Sequence, residues 1–127
     1  MSHLTPDHLK YTKEHEWALL KDGVATIGIT DFAQSSLGDI VFVELPEVGN
    51  KISRGEAFGV VESIKSVSDL YAPITGEVLE SNHELVDNPE NCNQDPYAAW
   101  MIKVKIEDQS EIDDLMDAND YRSHCDN

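Results

Sequence analysis

Basic residues are scarce in this sequence of 127 residues. It has 9 lysines and arginines against 25 aspartates and glutamates, so its formal net charge is −16 at pH 7. Nucleic-acid binding requires clustered Lys and Arg side chains, and anionic membranes attract such clusters, so this balance argues against both kinds of partner. The acidic surface instead favours partner proteins with basic docking patches.

Cysteines and long apolar segments are also scarce. The two cysteines, Cys92 and Cys125, form no CxxC motif, which disfavours a disulfide framework and fits a reducing compartment. No apolar run approaches the roughly 20 residues of a membrane span. Residues 1–6 lack both the apolar region of a secretory signal and the Arg-rich, acid-poor composition of a transit peptide. We therefore expect a protein of the bacterial cytoplasm, with a processed mitochondrial protein as the alternative.

Short apolar segments alternate with turn residues along most of the chain, a pattern typical of a β-sandwich or barrel. Lys21-Asp22-Gly23 suits a hairpin turn, because Asp and Gly tolerate positive φ. Segment 39–45 is apolar at nearly every position and is therefore expected to be buried on both faces. The predicted strands are residues 16–20, 24–29, 39–45, 51–52, 57–63, 67–72, 77–81 and 100–106.

Helix signals occur in two places. Thr30 and Asp31 suit the N-cap of a short helix over residues 32–37. Ser110 suits the N-cap of a C-terminal helix at 111–121. The chain length fits one domain, so we expect a single domain at 1–127.

The other segments complete this organisation. Residues 1–10 are expected to form a loose leader. The polar segment 83–96, which contains Asn88-Pro89 and Asp95-Pro96, is expected to be a surface loop. The large aromatic side chains expected in the core are Trp17, Trp100, Phe32, Phe42 and Phe58.

Lys65 is the residue with the most distinctive setting. Apolar strand-like residues flank Ile64-Lys65-Ser66, which predicts a hairpin tip, and no other Lys or Arg occurs between Gly55 and Ile102. The surrounding carboxylates favour a protonated lysine, which is unsuitable for a Schiff-base or general-base role. The same setting suits a lysine that is presented to a modifying enzyme, although an ordinary solvated turn lysine would share it.

Longer motifs around this lysine resemble a known family. Residues 62–78, which read ESIKSVSDLYAPITGEV, resemble the lipoyl-attachment segment of the glycine cleavage system H-protein family. Further segments resemble the same family in the same order, so the resemblance covers nearly the whole chain, from about residue 11 to residue 121. These segments are residues 11–17, 27–34, 37–46 and 55–63.

The resemblance implies a fold, a cofactor and a set of partners. The implied fold is a mainly β, lipoyl-domain-like sandwich or barrel (a hammerhead) with short helices and a C-terminal helix. The implied cofactor is lipoate, attached covalently to Lys65 as a swinging arm. The arm would carry the aminomethyl group of glycine from a pyridoxal-phosphate glycine decarboxylase to a tetrahydrofolate-dependent aminomethyltransferase. A lipoamide dehydrogenase would reoxidise the dithiol, and a lipoyl-attaching enzyme would install the group.

The same resemblance points to Glu16 and Asp69 as carboxylates that contact the loaded arm, whose amine is cationic; ordinary surface acids are the alternative for both. We expect a monomeric, non-catalytic carrier, because such a protein makes transient contacts with several enzymes and because the cofactor, not the protein, carries the chemistry. A lipoyl-relay carrier or an unmodified scaffold is the main alternative. A biotin carrier is disfavoured, since that family usually places methionine on both sides of the lysine.

No motif indicates a metal site or a catalytic constellation. His15-Glu16 lacks the second histidine of the HExxH pattern, and the acidic residues of segment 108–120 lack the spacing and glycine of an EF-hand. We see no nucleophile–base pair and no phosphate-binding loop in the sequence. We therefore expect neither a metal nor a stand-alone enzyme activity.

Overall fold

Antiparallel strands in two sheets form the framework of the computed structural model, which describes residues 4–125. The six-stranded sheet has the order β1-β2-β3-β9-β8-β5, and the three-stranded sheet has the order β4-β6-β7. The strands are β1 (Lys10–Tyr11), β2 (Glu16–Lys21), β3 (Val24–Ile29), β4 (Ile40–Glu44), β5 (Lys51–Ile52), β6 (Ala57–Ser63), β7 (Val67–Tyr71), β8 (Gly76–Ser81) and β9 (Ile102–Ile106).

The two sheets share one hydrophobic core. Ile27, Val78 and Val104 of the large sheet and Val43 and Val61 of the small sheet are fully buried in the same cluster. Alternate residues of a strand point to opposite faces, so each sheet buries one face and leaves the other for helices, loops or solvent. The predicted mainly β class is confirmed.

Short helices lie between the strands and at the C-terminal end of the described chain. They are α1 (Asp31–Leu37), α2 (His83–Asp87), α3 (Asn91–Gln94), a 3-10 helix (Gln109–Asp114) and α4 (Ala118–Cys125). Thr30 caps α1 as predicted, since its hydroxyl accepts the Ala33 N–H at 3.1 Å. Across residues 4–125, no helix has the length and apolar character needed to cross a membrane.

Two predicted segments differ from the structure. The predicted surface loop at 83–96 is wrong, because α2 and α3 lie within this segment. Leu85 of α2 and Cys92 of α3 are buried in the core. Helices this short show no hydrophobic periodicity in the sequence, so the pattern did not predict them. The predicted helix at 111–121 is divided into the 3-10 helix and α4. Tyr11 and Met116 exchange backbone hydrogen bonds of 2.8 and 2.9 Å, which holds the chain between the two helices in a β-bridge.

The predicted N-cap Ser110 and the predicted leader are also corrected. Asp108 is the cap of the 3-10 helix, because its side chain accepts the Ser110 N–H. Leu9 is buried in a second small cluster, and Lys10 begins β1, so the end of the predicted leader at 1–10 is ordered structure. Residues 1–3 lie outside the described part of the chain.

The segment that contains β4 is not buried on both faces. Ile40 pairs with Ser63 and Phe42 pairs with Glu62, so Val41 is an extra residue in β4 and forms a β-bulge. Val41 and Phe42 are both exposed. Phe42 is therefore not a core residue, whereas Trp17 and Phe58 are buried as predicted. Phe32 and Trp100 are half-buried.

Candidate functional site

Lys65 lies at the tip of the hairpin between β6 and β7, as predicted. The Ser63 N–H donates to the Ser66 carbonyl at 2.8 Å, and the Ser63 hydroxyl accepts the Ser66 and Lys65 N–H groups at 3.1 and 3.3 Å. Serine forms such turns readily, because its short side chain can bond to the neighbouring backbone. The Ile64 N–H also donates to the Asp39 carbonyl at 3.0 Å, which ties the tip to the start of β4. The backbone of Lys65 is therefore fixed, while its side chain is exposed.

The Lys65 side chain extends towards the end of α1. A Cβ atom built on Gly38 would lie 3.5 Å from Lys65 Cε. Gly38 adopts φ of 83° and ends α1, where its N–H donates to the Gln34 carbonyl. The Asn93 side chain donates to the Gly38 carbonyl and accepts the Ile40 N–H, both at 2.8 Å. Asn93 thus holds the segment beside the lysine, a role that the sequence analysis missed.

Glu16 is a buried carboxyl group rather than a surface acid, with 2% of its surface exposed. Its Oε1 accepts the Thr12 hydroxyl at 2.6 Å, and its Oε2 accepts the Tyr71 N–H at 3.4 Å. Burial raises the pKa of Glu16 to about 7, although the hydrogen bonds from Thr12 and Tyr71 lower it. Glu16 can therefore gain or lose a proton near neutral pH. The sequence analysis did not predict that the Thr12 hydroxyl would donate to this carboxyl group.

Asp69 is exposed on β7, between the lysine hairpin and the Tyr71 amide that Glu16 contacts. The strand from Val67 to Tyr71 spans about 13 Å, on the usual rise of a β-strand. The structure therefore places Lys65 and Glu16 near opposite ends of β7 and does not bring them into contact. Asp69 lies along the same strand, so the three predicted residues form a line rather than a cluster.

A hydrogen-bond chain positions the segment before Glu16. His15, which adopts φ of 72°, contacts the Tyr121 hydroxyl through Nδ1 at 2.7 Å, and that hydroxyl contacts the Thr30 hydroxyl at 2.7 Å. Burial lowers the pKa of His15, and the nearby His124 lowers it further. These hydrogen bonds join α4, the N-terminus of α1 and the loop that precedes Glu16. Because His15 and Tyr121 are 106 residues apart, no local sequence signal could have predicted the contact.

The comparisons with known proteins agree on one family. The family model described as "Glycine cleavage H-protein" matches residues 9–127. The chain belongs to the glycine cleavage H-protein family. It is 57% identical over 118 residues to the glycine cleavage system H protein of Staphylococcus haemolyticus, covering 92% of this chain and 94% of the relative. It is 55% identical over 119 residues to that of Carboxydothermus hydrogenoformans, covering 93% of this chain and 92% of the relative.

Solved structures place the fold in the same family. A crystal structure of a glycine cleavage system H protein from Mycobacterium marinum matches with a TM-score of 0.89 and 40% identity, covering 96% of this chain and 99% of the other. The lipoyl-domain-like fold expected of the H-protein family is therefore confirmed. Among residues 4–125, no group of three or more His, Cys, Asp or Glu side chains is arranged to hold a metal ion.

Proposed function

We propose that this H-protein family member is the lipoylated carrier of the glycine cleavage system and that Lys65 bears the lipoyl group through an amide bond. The observation that carries the proposal is the exposed lysine on a hydrogen-bonded hairpin tip, in a chain matched to the family over almost its full length. The amine is accessible for acylation, and the rigid turn gives an attached arm a defined base.

The lipoyl group supplies the redox-active disulfide to which the aminomethyl group is transferred; the protein binds and positions the arm. The partners that follow are glycine decarboxylase, the tetrahydrofolate-dependent aminomethyltransferase, lipoamide dehydrogenase and a lipoyl-attaching enzyme. The chain acts as a monomeric, non-catalytic carrier in the bacterial cytoplasm and as a single lipoyl-carrier domain. Its net charge of −16 favours transient binding to basic docking patches on the partner enzymes.

We further propose that Asp69 and Glu16 contact the loaded arm. Asp69 is exposed on β7, and Glu16 contacts the Tyr71 amide at the far end of that strand. The arm has about twelve bonds of roughly 1.5 Å each between the lysine Cα and the nearer sulfur, enough to span the strand. A cationic amine beside Glu16 would favour the ionised carboxylate, because an opposite charge offsets the cost of burial.

The test replaces Lys65 while keeping its positive charge. Lys65→Arg should keep its thermal unfolding midpoint but lose lipoylation and glycine-dependent exchange of carbon dioxide with the decarboxylase, because arginine forms no such amide. Lys51→Arg, another exposed lysine, is the matched control and should behave as the unsubstituted protein. A folded Lys65→Arg protein that supports glycine decarboxylation contradicts the proposal. A lipoylated wild-type protein that transfers lipoyl groups but accepts no aminomethyl group would favour the relay alternative.

A further inference from the structure

The side chain of Asn93 connects α3 to the end of α1 and to the start of β4. Its Nδ2 donates to the Gly38 carbonyl at 2.8 Å and to the Gln34 side-chain oxygen at 3.0 Å, and its Oδ1 accepts the Ile40 N–H at 2.8 Å. Both hydrogens of the amide group and one lone pair of its oxygen are therefore used. These bonds fix the orientation of a side chain that is only half-buried.

The partners at this position require an amide group. Gly38 offers an acceptor and Ile40 offers a donor, so the side chain between them must both donate and accept. A carboxylate could accept the Ile40 N–H but would set an oxygen against the Gly38 carbonyl, and a hydrocarbon would bond to neither group. The amide of Gln34 is already oriented by a second contact, since its nitrogen donates to Asp31 at 2.8 Å.

The helix that carries Asn93 is fixed to the core. Cys92, the preceding residue, is fully buried in the main hydrophobic cluster, and its N–H donates to the Pro89 carbonyl at 3.1 Å. The Asp95 N–H donates to the Asn91 carbonyl at 3.0 Å, which closes the single turn of α3. The amide of Asn93 is thus presented from an anchored element rather than from a free loop.

The two backbone groups that Asn93 binds lie on either side of Asp39. Because one side chain holds both the Gly38 carbonyl and the Ile40 N–H, the orientation of Asp39 between them is restricted. We call these two hydrogen bonds the Asn93 brace. The Asp39 carbonyl in turn accepts the N–H of Ile64, the residue before the lysine, at 3.0 Å. Hydrogen bonds therefore lead from α3 to the base of the lysine.

The contact with Asp39 sets the position of the hairpin tip relative to the rest of the protein. The hydrogen bonds of the two serines shape the turn, but they join residues of the hairpin to one another. Within the described residues 4–125, the bond from Ile64 is the only hydrogen bond that residues 64–66 make outside the hairpin. The orientation of the tip therefore depends on where the Asp39 carbonyl is held.

The lysine side chain also depends on this segment. Lys65 extends across Gly38, since a Cβ atom built on the glycine would lie 3.5 Å from Lys65 Cε. We infer that Asn93 is a positioning residue for the lipoyl arm, which fixes the direction in which the arm leaves the protein, and this inference rests on the proposed function. Asn93 acts through the backbone of residues 38–40 and not through contact with the arm.

The positioning role has a consequence for the loaded arm. A tip that is held in one orientation directs the arm over the same part of the surface at all times. A tip without the Asn93 brace adopts several orientations, so the amine at the end of the arm spends a smaller fraction of its time beside the protein. Water then reaches the adduct more often and hydrolyses it to formaldehyde, ammonia and the free thiol.

The experiment compares Asn93→Ala with Asn82→Ala in the lipoylated full-length protein. Asn82, which follows β8 of the large sheet, is the matched control, because its half-buried side chain donates to the Trp100 carbonyl at 2.7 Å. Amide hydrogen exchange by NMR follows the Ile64 N–H. We expect exchange at Ile64 to be at least about tenfold faster in Asn93→Ala, since Asp39 is no longer held, and within about twofold of wild type in Asn82→Ala.

Loss of the aminomethyl group is the second readout. It is measured on loaded protein, in the absence of the partner enzymes, as release of formaldehyde. We expect the rate to rise about threefold in Asn93→Ala and to stay within about 1.5-fold of wild type in Asn82→Ala. Urea unfolding midpoints of the two variants show how far each is destabilised, so an effect confined to Asn93→Ala does not come from a general loss of stability.

Wild-type protein supplies a test that does not depend on the folding of a variant. The Ile40 N–H, which donates to Asn93, and the Ile64 N–H, which donates to Asp39, should open together if the brace holds the tip. Their protection against exchange should then agree within about tenfold. A larger gap in either direction would overturn the inference, because the tip and the brace would open independently.

The outcomes distinguish this inference from the proposed function. Wild-type protein that accepts no lipoyl or aminomethyl group would remove the proposed function and the inference together. A loaded wild-type protein, with Asn93→Ala losing the aminomethyl group at the wild-type rate, would overturn the positioning role alone. Equal acceleration in Asn93→Ala and Asn82→Ala would also overturn it, and so would faster loss with unchanged exchange at Ile64.

Discussion

The buried carboxyl of Glu16 gives a quantitative prediction about stability and pH. Its pKa is about 7 in the folded protein, against an ordinary value of 4.5, because burial disfavours the ionised form. Between these two values the folded state holds a proton that the unfolded state has released, so the free energy of unfolding falls as pH rises. The difference between the two pKa values corresponds to about 3 kcal/mol in the free energy of unfolding. Ionisation of Glu16 lowers the stability by this amount above pH 7 and has no effect below pH 4.5.

Glu16→Gln removes this titration while keeping an oxygen that can accept the Thr12 hydroxyl. We expect the stability of the variant relative to wild type to increase by about 3 kcal/mol between pH 4.5 and pH 8. Urea unfolding at a series of pH values measures the difference, and general charge repulsion affects both proteins alike. Glu14→Gln, at an exposed neighbouring position, is the control for loss of one acid. A stability difference that is the same at pH 4.5 and pH 8 would refute the reasoning.

Three further substitutions test separate parts of the structure. Asp69→Lys should speed loss of the aminomethyl group from the loaded protein by charge repulsion; an unchanged rate of loss would remove Asp69 from the arm contacts. Gly76→Ala should lower the free energy of unfolding by about 1–3 kcal/mol, because its Cβ would collide with the Lys105 carbonyl of β9; an unchanged urea midpoint would contradict this packing. Tyr121→Phe should cost about 1–3 kcal/mol and speed amide hydrogen exchange in α1 and α4, since the buried Thr30 hydroxyl loses a partner. Exchange at the wild-type rate would show that the hydroxyl does not hold these helices.

Local signals in the sequence were sufficient to predict the lysine hairpin and α1. The turn residues around Lys65 act within a few positions of the chain, and Thr30 caps α1 through Ala33. The proposal that Lys65 lies in an attachment segment came from a family resemblance over several motifs, which no reasoning from spacing alone would have supplied. These predictions therefore depended on information that is contiguous in the sequence.

Long-range contacts decided the features that the sequence did not predict. The burial of Glu16 is completed by β7, whose Tyr71 amide is 55 residues away. Exposure of Phe42 follows from a bulge that exists only when β4 pairs with β6. The division of the C-terminal helix follows from the bridge between Tyr11 and Met116. Each depends on a partner that periodicity and capping rules do not identify.

The most direct test of the carrier assignment is peptide mapping of the full-length protein after expression with lipoate and a lipoyl ligase. The account predicts one lipoyl increment in the intact mass, confined to the peptide that contains Lys65. An increment on another lysine, a biotin increment, or a folded protein with unmodified Lys65 would contradict it.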